Sequence, residues 1–163
     1  MANEPPHTLK IVTVWLLVGV ALFLGVQWWQ HAQKQTRFQI DDGTIEIHRA
    51  ADGHYHWPGT INGRPVDFLV DTGASGTAIP MALAQELDLP LMAHVQSNTA
   101  GGVVRGRESR ADVVLQGGVR AEQLRVVALP ALDFPLLGMN VLGRLHWRQR
   151  DGVLTIELGA PQP

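Results

Sequence analysis

The chain has 163 residues, 45% apolar and 17% charged, with 17 Gly, 10 Pro and no Cys. Such a composition suits about one folded domain and excludes wholesale disorder, while a formal net charge of −2 points away from nucleic acid as a partner. Without cysteine, disulfide staples, thiolate catalysis and Cys-based zinc or iron–sulfur sites are excluded.

The first element is an apolar run. Ile11–Val26 carries no charge, and with Leu9 and Trp28–Trp29 it reaches about 20 residues, enough to span a hydrocarbon core of roughly 30 Å. Lys10 and the two tryptophans at its ends suit the two membrane interfaces. The alternative is a cleavable signal peptide, but no A-x-A-like site follows Val26, and tryptophans are poor cleavage-site residues. An uncleaved single-pass anchor is therefore expected. Lys10 on one side balances Lys34 and Arg37 on the other, so charge does not set the orientation. Gln30–Gln35 is a short polar tether.

Beyond the tether, Thr36–Ile40, Thr44–His48, Val66–Val70, Val103–Arg107, Ala111–Gln116, Leu124–Ala128, Leu145–Arg148 and Val153–Leu158 read as strands. Between them stand Asp42-Gly43, Asp52-Gly53, Asn62-Gly63, Gly117-Gly118 and Asp151-Gly152, and Asn-Gly and Asp-Gly are strong hairpin signals. Pro80 fits the first position of a helix over Met81–Leu87 that ends before Pro90, and a second short helix is expected over Met139–Leu145. This part of the chain is mainly β.

One segment carries chemistry: Phe68-Leu69-Val70-Asp71-Thr72-Gly73-Ala74-Ser75. An apolar strand runs into a carboxylate, and desolvation at the end of a buried strand disfavours the charged form. Gly73 permits a tight turn and close backbone approach, and Thr72 offers a hydroxyl beside the acid. Many Asp residues merely start a turn, yet a chance Asp-Thr-Gly in a chain of this length has a probability of only about a few per cent. Downstream, Phe134-Pro135-Leu136-Leu137-Gly138-Met139-Asn140 leads into the second helix. Between the two lies Asn98-Thr99-Ala100-Gly101-Gly102-Val103, a glycine-centred turn that is either an ordinary hairpin or the tip of a mobile lid.

In this order, these segments resemble the retropepsin-like aspartic proteases, in particular their membrane-anchored bacterial members. The resemblance covers about Ile45 to Leu158, with Gly53-His54-Tyr55 and Gly59-Thr60-Ile61-Asn62-Gly63 contributing alongside the blocks above. It implies a closed β-barrel of the acid-protease fold with one or two short helices behind an N-terminal transmembrane helix. The implied organisation is a tail over 1–8, an anchor over 9–29, a linker and first strand over 30–43, the protease domain over 44–159 and a tail over 160–163. Asp71 would be the catalytic acid, with Thr72, Gly73 and Ala74 supporting the active-site loop. Thr99, Ala100, Gly101 and Gly102 would form the flap, and Leu136, Leu137 and Gly138 would pack behind the loop. Three positions depart from patterns common among relatives: Ala74 where two-lobed enzymes carry Ser, no tyrosine in the flap, and Met139 where retroviral enzymes carry Arg.

Peptide hydrolysis of this kind needs two carboxyls sharing a proton, and the chain holds one Asp-Thr-Gly; neither Asp112 nor Asp133 is followed by Thr/Ser-Gly. The resemblance thus implies a homodimer with Asp71 of each copy at the axis, cutting a polypeptide bound in extended conformation, with no metal and no cofactor. It leans toward a bacterial inner membrane with the domain in the periplasm. A peptide-gripping module that does not cut, and a membrane adaptor, are the competing readings. Other constellations carry less. His48, His54 and His56 suggest a metal site, with His54 and His56 on one strand face, but no acidic or Cys ligand has a supporting spacing, and no Gly-x-Ser-x-Gly elbow accompanies Ser75 or Ser97. Arg144, His146, Arg148 and Arg150 form a basic strand face that suits a solvated edge, with Trp147 on the opposite face expected in the core.

Overall fold

A computed structural model describes residues 7–33, 37–39, 43–99 and 102–159. The chain divides into two units, residues 1–35 and 36–163. In the first, α1 (His7–Gln33) runs 27 residues, about 40 Å at 1.5 Å per residue. Its described side chains, residues 11–27, are all exposed. The expected anchor, residues 9–29, falls within this helix; among the described residues, no helix is long and apolar enough to cross a membrane.

In the second unit the strands β1 (Arg37–Gln39), β2 (Gly43–His48), β3 (His56–Ile61), β4 (Arg64–Val70) and β5 (Thr77–Pro80) precede α2 (Met81–Glu86). Then come β6 (His94–Thr99), β7 (Gly102–Leu115), β8 (Val119–Leu129), β9 (Leu136–Leu137), α3 (Met139–Leu142), β10 (His146–Arg150) and β11 (Val153–Leu158). Two hairpins turn where Asx-Gly pairs predict: Asn62 and Gly63 take φ of 48° and 82° between β3 and β4, and Asp151 and Gly152 take 50° and 79° between β10 and β11. A positive φ at both central residues is what a tight primed turn requires.

Strands β8, β5, β9, β4, β3 and β7 are successive neighbours, and the β7–β8 pairing closes them into a six-stranded barrel, with β1 and β6 attached outside the ring. The architecture is mainly β with few helices, as the sequence suggests. Trp57, Ile61, Phe68, Ile79, Leu115, Leu124 and Leu137 fill the interior, each at most 2% exposed. A fully buried side chain of this size contributes about 1.5–3 kcal/mol, and Trp57 keeps its indole N–H satisfied by donating to the Gln116 carbonyl at 2.9 Å. A second sheet, β10-β11-β2, buries Leu154, Ile156, Leu158 and Ile47 against the same core.

Several elements differ from the sequence reading. Strands β3, β5 and β6 were not anticipated, because Pro58-Gly59 interrupts the first, the second is four residues running into a helix, and the third is polar. Strand β7 is continuous across Glu108-Ser109-Arg110, where two strands were expected. Buried Ser109 is tolerated because its hydroxyl donates to the Pro90 carbonyl at 3.1 Å. The second helix stops at Leu142 rather than Leu145. Trp147 is not in the core: its register opposite Ile156 puts it on the inner face, but β10 is an outer strand and the ring stays 36% exposed.

Candidate active site

Strand β4 ends at Val70 and delivers Asp71 into a loop that returns as β5 at Thr77. Between these strands lies β9, parallel to β4 (Leu69 opposite Leu136, Val70 opposite Leu137) and antiparallel to β5 (Ala78 opposite Leu136). The loop is gripped by the segment leaving β9. The Asp71 N–H donates to the Leu137 carbonyl at 3.0 Å, and the Met139 N–H donates to the Ala74 carbonyl at 2.8 Å. Gly138 sits between these bonds, where a Cβ would collide with the Gly76 carbonyl and lie 2.9 Å from the Ala74 oxygen. Only glycine fits so close an approach.

Inside the loop, the Gly73 N–H donates to Asp71 Oδ1 at 2.9 Å, which aims the carboxylate. The Ala74 N–H turns back to the Asp71 carbonyl at 3.3 Å. The Asp71 side chain is half-buried, so the desolvation expected at a strand end is incomplete in one chain. It lines a cleft of about 1190 Å³ whose floor is residues 71 and 73–78 and whose walls come from β6, β8 and residues 131–132. Asp71 is the only carboxylate among the described residues that line it.

Gly73, Ala74 and Leu136 also line the cleft, whereas Leu137 and Gly138 are buried behind it. Thr72 is exposed and does not line it. Thr99 and Gly102 end the two arms of the β6–β7 hairpin, as paired residues, and Gly102 takes φ +109°, a conformation suited to glycine. Ala100 and Gly101 lie outside the described residues.

Sequence reasoning missed Thr77 and Asn140. Thr77 is fully buried, and Asn140 Oδ1 accepts from both its N–H (2.9 Å) and its hydroxyl (2.8 Å). The available signal was an amide side chain two residues past Gly138, at the start of a helix too short to need one as a cap.

The histidines form a separate cluster. His56 Nε2 lies 2.8 Å from Asp52 Oδ2 and its Nδ1 lies 2.9 Å from Asp67 Oδ2, so both ring nitrogens face carboxylates. The hydrogen bond that the His56 ring donates to Asp52, outweighing the desolvation, raises the His56 pKa. The Asp52 carboxyl is held below its usual value, first by the His54 N–H that donates to it at 2.9 Å and then by His56. Among the described residues, no group of three or more His or acidic side chains is placed to hold a metal ion.

Residues 57–144 match the family model described as "gag-polyprotein putative aspartyl protease". The fold is similar to the crystal structure of a retropepsin-like aspartic protease from Rickettsia conorii, with 28% identity and a TM-score of 0.58 over 76% of this chain and 98% of that one. The chain is also 31% identical to an uncharacterized protein of Rickettsia prowazekii (strain Madrid E), over 74% of this chain and 53% of the relative. A Sinorhizobium protein encoded in the cobV 5′ region is 30% identical over 64% of this chain and 47% of its own length. The chain thus spans about half the length of the curated relatives it matches.

Proposed function

The chain belongs to the retropepsin-like aspartyl proteases, and from that premise we propose that it is an aspartic endopeptidase acting as a homodimer, with Asp71 as its catalytic residue. One observation carries the reading: a cleft large enough for an extended peptide has, among the described residues that line it, a single carboxylate, Asp71, aimed into it by the Gly73 N–H. Hydrolysis needs one carboxylate as base toward a water and one carboxyl as acid toward the peptide carbonyl. A second copy related by a two-fold axis supplies the missing group from the same residue. Two carboxyls about 3 Å apart cannot both ionise, so the pair holds one proton between them; aspartic proteases are themselves the standard example of this behaviour. The pair then titrates as a unit.

In this reading the substrate lies as an added strand over the 71–78 floor, under the β6–β7 hairpin, whose tip region 99–102 acts as the flap. In the same proposal residues 9–29 serve as a membrane anchor, a reading that rests on the charge-free run from Ile11 to Val26 in the sequence alone. The placement proposed is a bacterial inner membrane with the domain in the periplasm. Anchoring raises the effective concentration of two copies, so a weak dimer suffices.

The test compares the wild type with Asp71→Asn on an unstructured protein substrate, from acidic to neutral pH and at several enzyme concentrations. Cleavage that vanishes in the variant and rises faster than linearly with concentration supports the dimeric protease. Binding without cleavage by either form points to a peptide-gripping module instead, and full activity of a demonstrated monomer overturns the shared pair.

A further inference from the structure

Three consecutive features of one segment hold three successive points of the catalytic loop. The Leu137 carbonyl holds Asp71, the Met139 N–H holds Ala74, and the Asn140 side chain holds Thr77. The first two bonds are backbone and would survive most substitutions. The third depends on a side chain that the sequence could have varied. Asn140 Oδ1 accepts from the Thr77 N–H at 2.9 Å and from its hydroxyl at 2.8 Å, and Thr77 Oγ1 in turn accepts from the Gly138 N–H at 3.4 Å. The other end of the same amide donates to the Arg125 carbonyl at 3.1 Å. Arg125 belongs to β8, which forms a wall of the cleft.

We propose that Asn140 is a positioning residue for Asp71, joining the catalytic loop to the β8 wall so that acid and cleft keep a fixed separation. The inference deepens the protease reading and rests on it. A carboxamide suits the place because it accepts twice and donates at once without ionising. A carboxylic acid does so only while protonated; once ionised, it turns an acceptor toward the Arg125 carbonyl. Thr77 completes the link: it is 0% exposed, so its hydroxyl has no water to replace a lost partner. Displacing a reacting group by about 1 Å can cost as much as 10²-fold in rate without weakening substrate binding to match.

The experiment uses the full chain in detergent, with active sites titrated by a peptide carrying a tetrahedral hydroxyl mimic, so that misfolded enzyme is not counted. Asn140→Ala and Thr77→Val are expected to lower kcat per titrated site by about 10- to 100-fold with KM within about threefold. Thr77→Ser, which keeps the hydroxyl, is expected to stay near wild type. Asn140→Asp is expected to work in acid and fail toward neutral pH, ahead of the wild type. Amide hydrogen exchange provides a readout without catalysis. In Asn140→Ala the Asp71, Met139 and Thr77 amides are expected to lose protection while those of Ile61 and Val113 in the barrel keep theirs. If all amides lose protection together, or kcat per site is unchanged while only the melting temperature falls, Asn140 is merely structural and the proposal is overturned. A wild type that cleaves nothing removes the protease reading instead, and the exchange pattern still decides whether Asn140 fixes the loop.

Discussion

Two loops flank the same pair of strands and are held in opposite ways. The 71–77 loop at the end of β4 is fixed by backbone bonds to Leu137 and Met139 and by the neutral Asn140–Thr77 pair, of which Thr77 is fully buried. The turn leading into β3 is fixed by charge at the surface, with His56 between Asp52 and Asp67 and side-chain exposures of 29%, 49% and 57%. The first arrangement contains no group that titrates apart from Asp71 itself; the second consists of little else. In the proposed reaction Asp71 exchanges a proton, and a loop built around such a carboxylate keeps its geometry across pH only if its supports do not titrate.

The largest expected effect falls on the proposed catalytic residue. Asp71→Asn should lower peptide cleavage by about 10³-fold or more, with thermal stability nearly unchanged; a variant that still cleaves would place the chemistry elsewhere. Next comes the packing of the loop against its support. Gly138→Ala puts a methyl onto the Gly76 carbonyl, which should cost about 1–3 kcal/mol and lower the melting temperature by several degrees. Full tolerance would mean that the 136–140 segment is not a rigid template for the loop.

The charged turn should respond less, and to pH. The His56 pKa is raised above its ordinary 6.5, so its contribution is fully present below about pH 6.5 and is lost as pH rises through the folded value. The Asp52 pKa is lowered from 3.8, so its contribution is present above that value and is lost as pH falls through the folded one. The two overlap between roughly pH 4 and 6.5. His56→Gln cannot donate from both ends, so its melting temperature should fall furthest behind the wild type near pH 5 and converge on it by pH 8. A gap that does not vary with pH would show that His56 acts by packing. The smallest effect belongs to neither loop. Arg64→Ala removes an exposed ion pair with Glu86, the two side chains being 51% and 52% exposed, and should change stability by less than about 0.5 kcal/mol.

What the amino-acid sequence determined by itself was local. Asn62-Gly63 and Asp151-Gly152 dictate their hairpins because a primed turn needs left-handed residues at its centre. Strands such as β4 and β11 are read from their apolar content and β-branched residues, and Asp71-Thr72-Gly73 is rare enough to mark a site before any fold is known. Strand β5 stayed hidden because its pairing comes from the distant Val126–Leu129, whereas β3 and β6, though paired with the next strand in the chain, are disguised by Pro58-Gly59 and by polar residues. Trp147 misled because its face is apolar but its strand has no outer neighbour to cover it. Asn140 could not be assigned from its surroundings in the chain, since its partners Thr77 and Arg125 lie 63 and 15 residues away. Only tertiary structure decided these points, because a hydrogen bond between distant residues leaves no periodicity in the sequence, and burial depends on what the rest of the chain places alongside.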